Sequence, residues 1–479
     1  MKKSLIVLFT LFLLLTGTVV YGGNILYKEQ NNVQFTEKVL YGDAAIVDGV
    51  TVERAMKYDK YLYWNSIYTA GKDSKTITTS TLYEWEKSDD YYNGYGCSMS
   101  AVDTLDLWED AKEEDYIGIT AAYKELYDSL ELGESGRKVV YLKDYMDYYH
   151  LAVNIFLPED ISCDTQYYTS FWTSDEEKQT KEYQTAKALQ ERFNEFFKIP
   201  VLEEDARYIE IYKDVEGYVS QSGASDVSGK DSYKLWNMSV YTDTDCYLTF
   251  NTHTLKGKVI DTSLIPGGYG IYAFSYDSKK NTVDTSTLRL VYGLDPTDNV
   301  QNIQLDAKKE NLLIFTVKEE CNEVSIINLK TMEKTQSFTY GESVVEEERM
   351  TGCSIYEDFM VLSYGDKEQA VVSIDKNGVY TYEYEIVWDD EKYPVISDYS
   401  HWDMEYDWDG ERLLFANSIW ETEVYYEEYC GFYLGAFDKN GLLYLGEYAC
   451  SLDTGNCNID ERYNYLCEPS NIENIKISW

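Results

Sequence analysis

A short turn motif recurs in the second half of the chain, each time between two apolar segments. Asp-Lys-Asn-Gly stands at residues 375–378 and again at 438–441. Glycine readily adopts the left-handed conformation that tight hairpin turns require, and Asp and Asn bond to the turn backbone. Looser counterparts without the glycine occur at 250–254 and 327–331. The pattern predicts a series of antiparallel hairpins.

A further apolar strand precedes each of these turns. These strands lie at 235–241, 312–317, 359–364 and 412–416. The number of residues from the start of the strand to the turn is the same for the first three and larger for the fourth. The repeating unit is therefore strand, loop, strand, tight turn, strand. Units of this kind are typical of β-propeller blades, each a small antiparallel sheet.

Composition also favours strands. The chain has 48 Tyr, 16 Phe and 10 Trp but only 6 Pro, and aromatic residues are enriched in sheets. We predict a mainly β, propeller-like fold of about seven blades, with the last segment, 474–479, as a closing strand. Tandem β-sandwiches are the alternative, because they show similar short strands.

The first half of the chain is less regular. Residues 24–96 are predicted as a first β unit, 97–205 as a mixed α/β insertion, and 206–479 as the propeller-like repeats. A helix is predicted near 174–198, since apolar residues recur there at helical spacing before Pro200. A second helix is predicted over 123–130, and the Ser-, Gly- and Asp-rich stretch 221–232 as an exposed loop.

The N-terminus has the pattern of an export signal. Lys2 and Lys3 precede an apolar run, and the first acidic residue is Glu29. Residues 1–23 are predicted to be either a cleaved signal peptide or an uncleaved signal anchor. Both place the rest of the chain outside the cytoplasm, and the membrane is contacted only through this segment if it is retained.

Charge excludes some classes of partner. The chain has 85 acidic and 42 basic residues, a net charge of −43. Such a field repels phosphate backbones, so no nucleic acid is expected as a partner. The three histidines make a multi-histidine metal centre improbable.

With its signal-like N-terminus, β-rich body and blade-like hairpins, the chain resembles the uncharacterised exported β-propeller-like proteins of bacteria. The resemblance covers 206–479 well and 24–205 poorly. It implies an architecture and no functional residues, because propellers serve both as binding platforms and as enzymes.

Nine cysteines are present, and the odd number leaves at least one without an intrachain disulfide partner. If the turn at 438–441 closes a hairpin, residues lie directly opposite each other when their sequence numbers sum to 880. Cys430 then lies opposite Cys450. Such residues are close enough for a disulfide. Cys457 and Cys467 are the second predicted pair.

Calcium is the cofactor that the acidic composition favours. Glu405, Asp407 and Asp409, followed by Gly410, resemble the start of a calcium-binding loop, but Ala416 stands where such a loop has its bidentate Glu. The alternative is a β-turn at Asp409–Gly410 before the next strand.

Aromatic rings alternate with these carboxylates. Trp402, Tyr406 and Trp408 are the predicted ligand-binding residues, because rings stack on sugar faces while carboxylates bond to hydroxyl groups. The alternative is that the rings fill a strand face. Tyrosines also cluster at 91–95, 145–149 and 425–429.

The sequence contains no familiar catalytic signature, neither a Gly-x-Ser-x-Gly elbow nor a phosphate-binding loop nor His-Glu-x-x-His. We therefore predict an exported binding or scaffold protein that recognises a surface protein or a polysaccharide. The alternative is an extracellular glycan hydrolase with an unidentified pair of carboxylates. A structural partner of a membrane complex is a third interpretation.

Overall fold

The computed structural model describes residues 2–31, 34–58, 62–83, 96–101, 119–157, 161–164, 179–217, 219–280, 282–318, 321–342, 350–364, 368–388, 404–418, 431–450 and 475–479. The chain divides into two compact units. Unit 1 comprises Met1–Asp90 and Met350–Trp479, and unit 2 comprises Tyr91–Arg349. These limits differ from the predicted boundary at 205/206, because strands from both ends of the sequence share sheets in unit 1.

The part of unit 1 that the structure describes contains one α-helix and the strands of three sheets. In chain order these are α1 (Lys2–Asn31), β1 (Phe35–Gly42), β2 (Thr51–Tyr58), β3 (Leu62–Thr69), β4 (Lys75–Tyr83), β19 (Met350–Ile355), β20 (Phe359–Tyr364), β21 (Glu368–Ile374), β22 (Tyr380–Val387), β23 (Glu405–Trp408), β24 (Leu413–Ser418), β25 (Phe432–Asp438), β26 (Gly441–Cys450) and β27 (Ile475–Ser478).

In its described residues, unit 2 contains two α-helices and the strands of four sheets. In chain order these are β5 (Gly96–Ala101), α2 (Ile119–Ser129), β6 (Glu134–Tyr141), β7 (Leu151–Leu157), β8 (Ile161–Asp164), α3 (Lys181–Phe196), β9 (Ala206–Lys213), β10 (Val219–Asp226), β11 (Asn237–Tyr241), β12 (Asp245–Phe250), β13 (Gly270–Asp277), β14 (Thr282–Gly293), β15 (Asn299–Leu305), β16 (Asn311–Val317), β17 (Cys321–Asn328) and β18 (Glu333–Glu342).

The sheets are antiparallel, and most follow chain order. In unit 1 the strand orders are β27-β2-β3-β4, β19-β20-β21-β22 and β1-β26-β25-β24-β23. In unit 2 they are β5-β7-β8, β10-β9-β6, β11-β12-β13-β14 and β15-β16-β17-β18. Runs of four consecutive strands form the blades of propellers, whereas sandwiches use Greek-key connections between facing sheets. The predicted mainly β, propeller-like fold is confirmed.

The predicted closing strand is also confirmed. Strand β27 pairs antiparallel with β2, and Thr51 lies opposite Ser478. A second strand from the start of the sequence, β1, extends the sheet of β23–β26 through its pairing with β26. In the described part of the chain, the first and last strands therefore complete sheets begun by distant segments.

Helices lie in the segment predicted as an α/β insertion. Helix α2 covers most of the predicted 123–130 helix. Helix α3 begins later than the helix predicted near 174–198, because Thr180 caps it by accepting a hydrogen bond from the amide of Tyr183 at 3.2 Å. Ser174, at the start of the predicted range, lies outside the described residues.

Helix α1 carries an apolar run, and its described side chains from Phe9 to Tyr21 are exposed. Within the part of the chain that the structure describes, no helix is both long enough and apolar enough to cross a membrane.

Candidate functional site

The predicted site residues lie on a hairpin in unit 1. Strands β23 and β24 pair from Glu405 opposite Ala416 to Trp408 opposite Leu413. Successive residues of a strand point to opposite faces. Tyr406 and Trp408 therefore share one face, and Glu405 and Asp407 share the other. Trp402 lies outside the described residues.

The aromatic face of this hairpin packs into a core. Tyr406 is only 4% exposed. Its hydroxyl accepts a hydrogen bond from Gln369 Nε2 at 2.7 Å and contacts the sulfur of Met404 at 3.4 Å. The ring of Trp408 lies 5.8 Å from that of Tyr384. Tyr406 thus fills a strand face, which is the alternative that the sequence offered.

The carboxylates of this hairpin bond to the chain itself. Asp409 Oδ1 accepts from the amides of Glu411 at 2.9 Å and Arg412 at 2.7 Å, and Oδ2 accepts from Arg412 Nε at 2.8 Å. Gly410 follows with φ of +100°. Asp407 Oδ2 accepts from the amide of Trp479 at 2.9 Å. Asp409 and Gly410 thus lie in the short connection between β23 and β24, where the sequence offered a β-turn as the alternative to a calcium loop.

The hydrogen bonds that Asp409 accepts also change its pKa. Burial favours the neutral acid, but the hydrogen bonds from the Arg412 and Glu411 amides and from the Arg412 side chain outweigh it, so the pKa of Asp409 is lowered. Among the described residues, no three His, Cys, Asp or Glu side chains are grouped so that they could hold a metal ion. Calcium binding at Glu405, Asp407 and Asp409 therefore stays a prediction.

Glu405 behaves differently from Asp409. Burial raises its pKa, although a hydrogen bond from the Tyr356 hydroxyl and the nearby Lys476 oppose the shift. A carboxyl whose pKa is raised by folding destabilises the fold as the pH rises above its unfolded value, here 4.5. Gln at this position removes the charge and keeps an oxygen for Tyr356.

We therefore expect Glu405→Gln to melt at a higher temperature than the parent at pH 7, with the difference shrinking to nothing below pH 4.5. Thermal unfolding of both proteins across this range measures it. Glu411→Gln, at an exposed position of the same hairpin, is the control. A difference for Glu405→Gln that does not change with pH would contradict the prediction.

The register behind the predicted disulfide is observed. Phe432 lies opposite Tyr448 and Ala436 opposite Tyr444, so facing numbers add to 880 over this stretch. The register shifts by one residue between Ala436 and Phe437, nearer the turn. Cys430, Cys457 and Cys467 lie outside the described residues, and both disulfides stay predictions.

An exposed sheet face in unit 2 carries a second arrangement of aromatic rings. In the sheet β10-β9-β6, helix α2 covers one face so closely that a Cβ on Gly136 would lie 2.7 Å from a Leu130 methyl carbon. Ile209 and Ile211 are buried on this side. The residues that alternate with them point away from the helix. Seven of them are Arg137, Val139 and Tyr141 on β6, Tyr208 and Glu210 on β9, and Gly223 and Ser225 on β10.

We call these seven residues the tyrosine face. Val139 is 41% exposed and Tyr141 is 37% exposed, so apolar and aromatic surface is open to solvent there. The Arg137 guanidinium lies 4.1 Å from the centre of the Tyr208 ring, and Lys230 Nζ lies 5.3 Å from that of Tyr141. Cation–π contacts of this kind hold the cations and the rings in place.

Sequence reasoning missed the tyrosine face. Its third strand, β10 (Val219–Asp226), overlaps the stretch 221–232 that the sequence predicted as a loop. Small Ser, Gly and Ala side chains gave no strand signal there, yet their backbone pairs with β9 from Val219 to Asp226. The alternation of Arg137, Val139 and Tyr141 was the available signal.

The tyrosine cluster at 145–149 has other roles. Tyr149 is buried, and its hydroxyl donates to Asp205 Oδ2 at 2.5 Å. Tyr145 donates to Glu125 at 3.0 Å. Tyr148 is 40% exposed, with Lys198 Nζ 5.8 Å from its ring centre. The clusters at 91–95 and 425–429 lie outside the described residues.

Comparison with known proteins finds no matching family model and no curated protein that matches. Solved structures give weak matches. A 6-phosphogluconolactonase candidate from Bacteroides fragilis is 8% identical with a TM-score of 0.31, over 84% of this chain and 95% of its own. A protein from Lactobacillus plantarum is 9% identical with a TM-score of 0.26, over 53% and 67%. The β-propeller domain of Cps50 from Myceliophteria thermophila is 10% identical with a TM-score of 0.21, over 50% and 82%. Scores this low carry no argument about function.

Proposed function

We propose that this chain is an exported binding protein that recognises a polysaccharide through the tyrosine face. The observation that carries the proposal is the pair of tyrosine rings, Tyr141 and Tyr208, on one open face of a sheet backed by a helix. Rings offer apolar area at low entropic cost, and they stack on the C–H faces of sugars.

Polar groups around the rings support a sugar ligand. Glu210 and Ser225 are exposed and point to the same side as Tyr208, with Ser225 directly opposite Tyr208 on β10. Hydroxyl and carboxylate oxygens beside a ring can bond to the hydroxyl groups of a stacked sugar. A sheet is also a rigid support, so little order has to be gained on binding.

Export is part of the same proposal. The two lysines at the start of the chain and the apolar run of α1 support a signal segment. A polysaccharide of the cell surface or its surroundings is the ligand that such a location makes available. Retention and cleavage of this segment both place the tyrosine face outside the cytoplasm.

The test is a glycan array followed by titration of the bound glycans. Replacing two half-exposed anchor rings, Tyr141→Ala/Tyr208→Ala, is expected to weaken binding at least about tenfold, since truncating an anchor side chain costs about 1–2 kcal/mol. Tyr148→Ala is the matched control, because Tyr148 is equally exposed and also lies beside a lysine but is not on the face.

Three outcomes are informative. Binding that the double variant loses and Tyr148→Ala retains supports the proposal. Binding that both variants retain, or no glycan binding at all, contradicts it. Release of new reducing ends from the bound glycan would instead favour the hydrolase. Circular dichroism of each variant verifies that the fold is kept.

A further inference from the structure

We infer that the ligand of the tyrosine face is an acidic polysaccharide, one whose sugars carry carboxylate groups. The inference rests on the proposed function and adds the charge of the ligand. It depends on the two cations that accompany the rings, Arg137 and Lys230.

Both cations lack an acidic partner. Among the described residues, no carboxylate lies within ion-pair distance of Arg137 or Lys230, although acidic residues outnumber basic ones by two to one in the chain. Glu210 stands directly opposite Arg137 in the sheet register. Arg137 nevertheless stacks on Tyr208 and forms no ion pair with Glu210. Its guanidinium donors therefore remain available to a ligand.

The two cations lie at opposite ends of the face, as a polymeric ligand with repeated acidic groups requires. Arg137, Val139 and Tyr141 follow one another on one side of β6, about 7 Å apart for each pair of residues. Arg137 stands beside Tyr208 at one end, and Lys230 beside Tyr141 at the other. Each ring thus has its own cation, as successive acidic sugars require.

A second ammonium group stands close to Lys230. Lys256 Nζ donates to the carbonyl of Gly229 at 2.6 Å, in the turn that ends at Lys230. Lys256 Nζ therefore lies beside the residue that precedes Lys230. Asp231, the residue after Lys230, is buried, and its carboxylate accepts from the Thr254 hydroxyl at 2.8 Å and from the Lys256 amide at 3.1 Å. Asp226 bonds to Lys234 at 2.8 Å.

Arginine stacked on a ring suits a carboxylate well. The guanidinium is planar and can bond to both oxygens of a carboxylate at once. Stacking on Tyr208 has already ordered its side chain, so less entropy is lost when the ligand binds. The net charge of −43 opposes an anion from a distance, but salt limits that field to about 8 Å at physiological ionic strength, so the local cations dominate.

The experiment compares two forms of one polymer. Polygalacturonate carries a carboxylate on each sugar, and its fully methyl-esterified form has the same backbone without the charge. We expect the protein to bind the acid form at least about tenfold more tightly, since hydrogen bonds between charged groups are the stronger ones. Affinity electrophoresis or calorimetry at 0.15 M salt measures both.

Arg137→Gln/Lys230→Gln removes the two charges and keeps both rings. We expect this variant to bind both forms equally, at the level of the ester. Lys198→Gln, which removes the cation beside Tyr148, is the control and should keep the preference for the acid. A preference that survives in Arg137→Gln/Lys230→Gln, or equal binding of both forms by the parent, would overturn the inference.

Failure of the inference is distinct from failure of the proposed function. If the parent binds only the ester or other neutral glycans, and Tyr141→Ala/Tyr208→Ala loses that binding, the face is a sugar site but not an acidic one. If the parent binds no glycan of either charge, both proposals are wrong.

Discussion

Asp205→Asn is expected to lower the free energy of unfolding by about 3–5 kcal/mol, because it leaves a buried arginine without its main counter-ion. Asp205 is fully buried and Arg207 is 2% exposed, and Arg207 Nη1 donates to Asp205 Oδ1. The other carboxylate oxygen accepts from the Tyr149 hydroxyl at 2.5 Å and from the Tyr233 amide at 3.3 Å.

A second carboxylate beside the same arginine serves as the control. Asp226 Oδ1 lies 3.5 Å from Arg207 Nη1, but its side chain is 34% exposed. Water can replace it, so Asp226→Asn is expected to cost no more than about 1 kcal/mol. Urea unfolding followed by circular dichroism measures both variants. Equal costs would show that Asp205 is not the group that compensates the buried charge.

Replacing both Asp205 and Arg207 separates the contribution of the ion pair from that of the hydrogen bonds that Asp205 accepts from Tyr149 and Tyr233. Asp205→Leu/Arg207→Met removes the charges and keeps apolar volume, and such exchanges are often neutral or stabilising. We expect this double variant to be more stable than Asp205→Asn. A double variant as unstable as Asp205→Asn would indicate that the hydrogen bonds to Tyr149 and Tyr233, and not the charge, hold this part of unit 2.

The second large loss of stability is expected from truncating the buried side chains of the closing strand, β27. Ile475→Ala/Ile477→Ala is expected to lower the free energy of unfolding by about 2–5 kcal/mol for each isoleucine. Both side chains are buried in the core of unit 1, at 4% and 9% exposure. The strand pairs with β2. Trp479, the residue after the strand, donates a hydrogen bond from its amide to Asp407, and the Arg412 guanidinium lies 4.0 Å from the centre of the Trp479 ring.

The alternate residues of the same strand are the matched control. Lys476 and Ser478 are exposed, so Lys476→Ala/Ser478→Ala keeps the backbone pairing with β2 and loses little packing. We expect it to cost less than about 1 kcal/mol. If both double variants are equally unstable, the strand contributes through its backbone alone and not through buried side chains.

Several features of the fold were open to prediction because they depend on local chemistry. The turns at 375–378 and 438–441 need glycine at one position, and Gly378 and Gly441 do have φ of +76° and +120°. The facing register of β25 and β26 followed from the second turn, because a hairpin fixes its own register. The predicted mainly β class needed only these turns and the apolar runs between them.

The candidate site was harder to predict. Tyr406 and Glu405 are neighbours in sequence, and the sequence alone allowed them to act together. Strand alternation places them on opposite faces, and the packing of Tyr406 against Gln369 comes from another sheet. Which rings stay exposed depends on what covers each face, and a helix or a second sheet supplies that cover from far along the chain.

The amino-acid sequence by itself determined the apolar strands and tight turns of the second half and the two helices described between 97 and 205, since each depends on residues close together in the chain. It also placed the closing strand in its last residues. Only the tertiary structure decided that Tyr141 and Tyr208, on β6 and β9, share an open face with Arg137 and Lys230. The pairing of strands more than sixty residues apart, and the helix α2 that covers the opposite side, determine which side chains reach solvent.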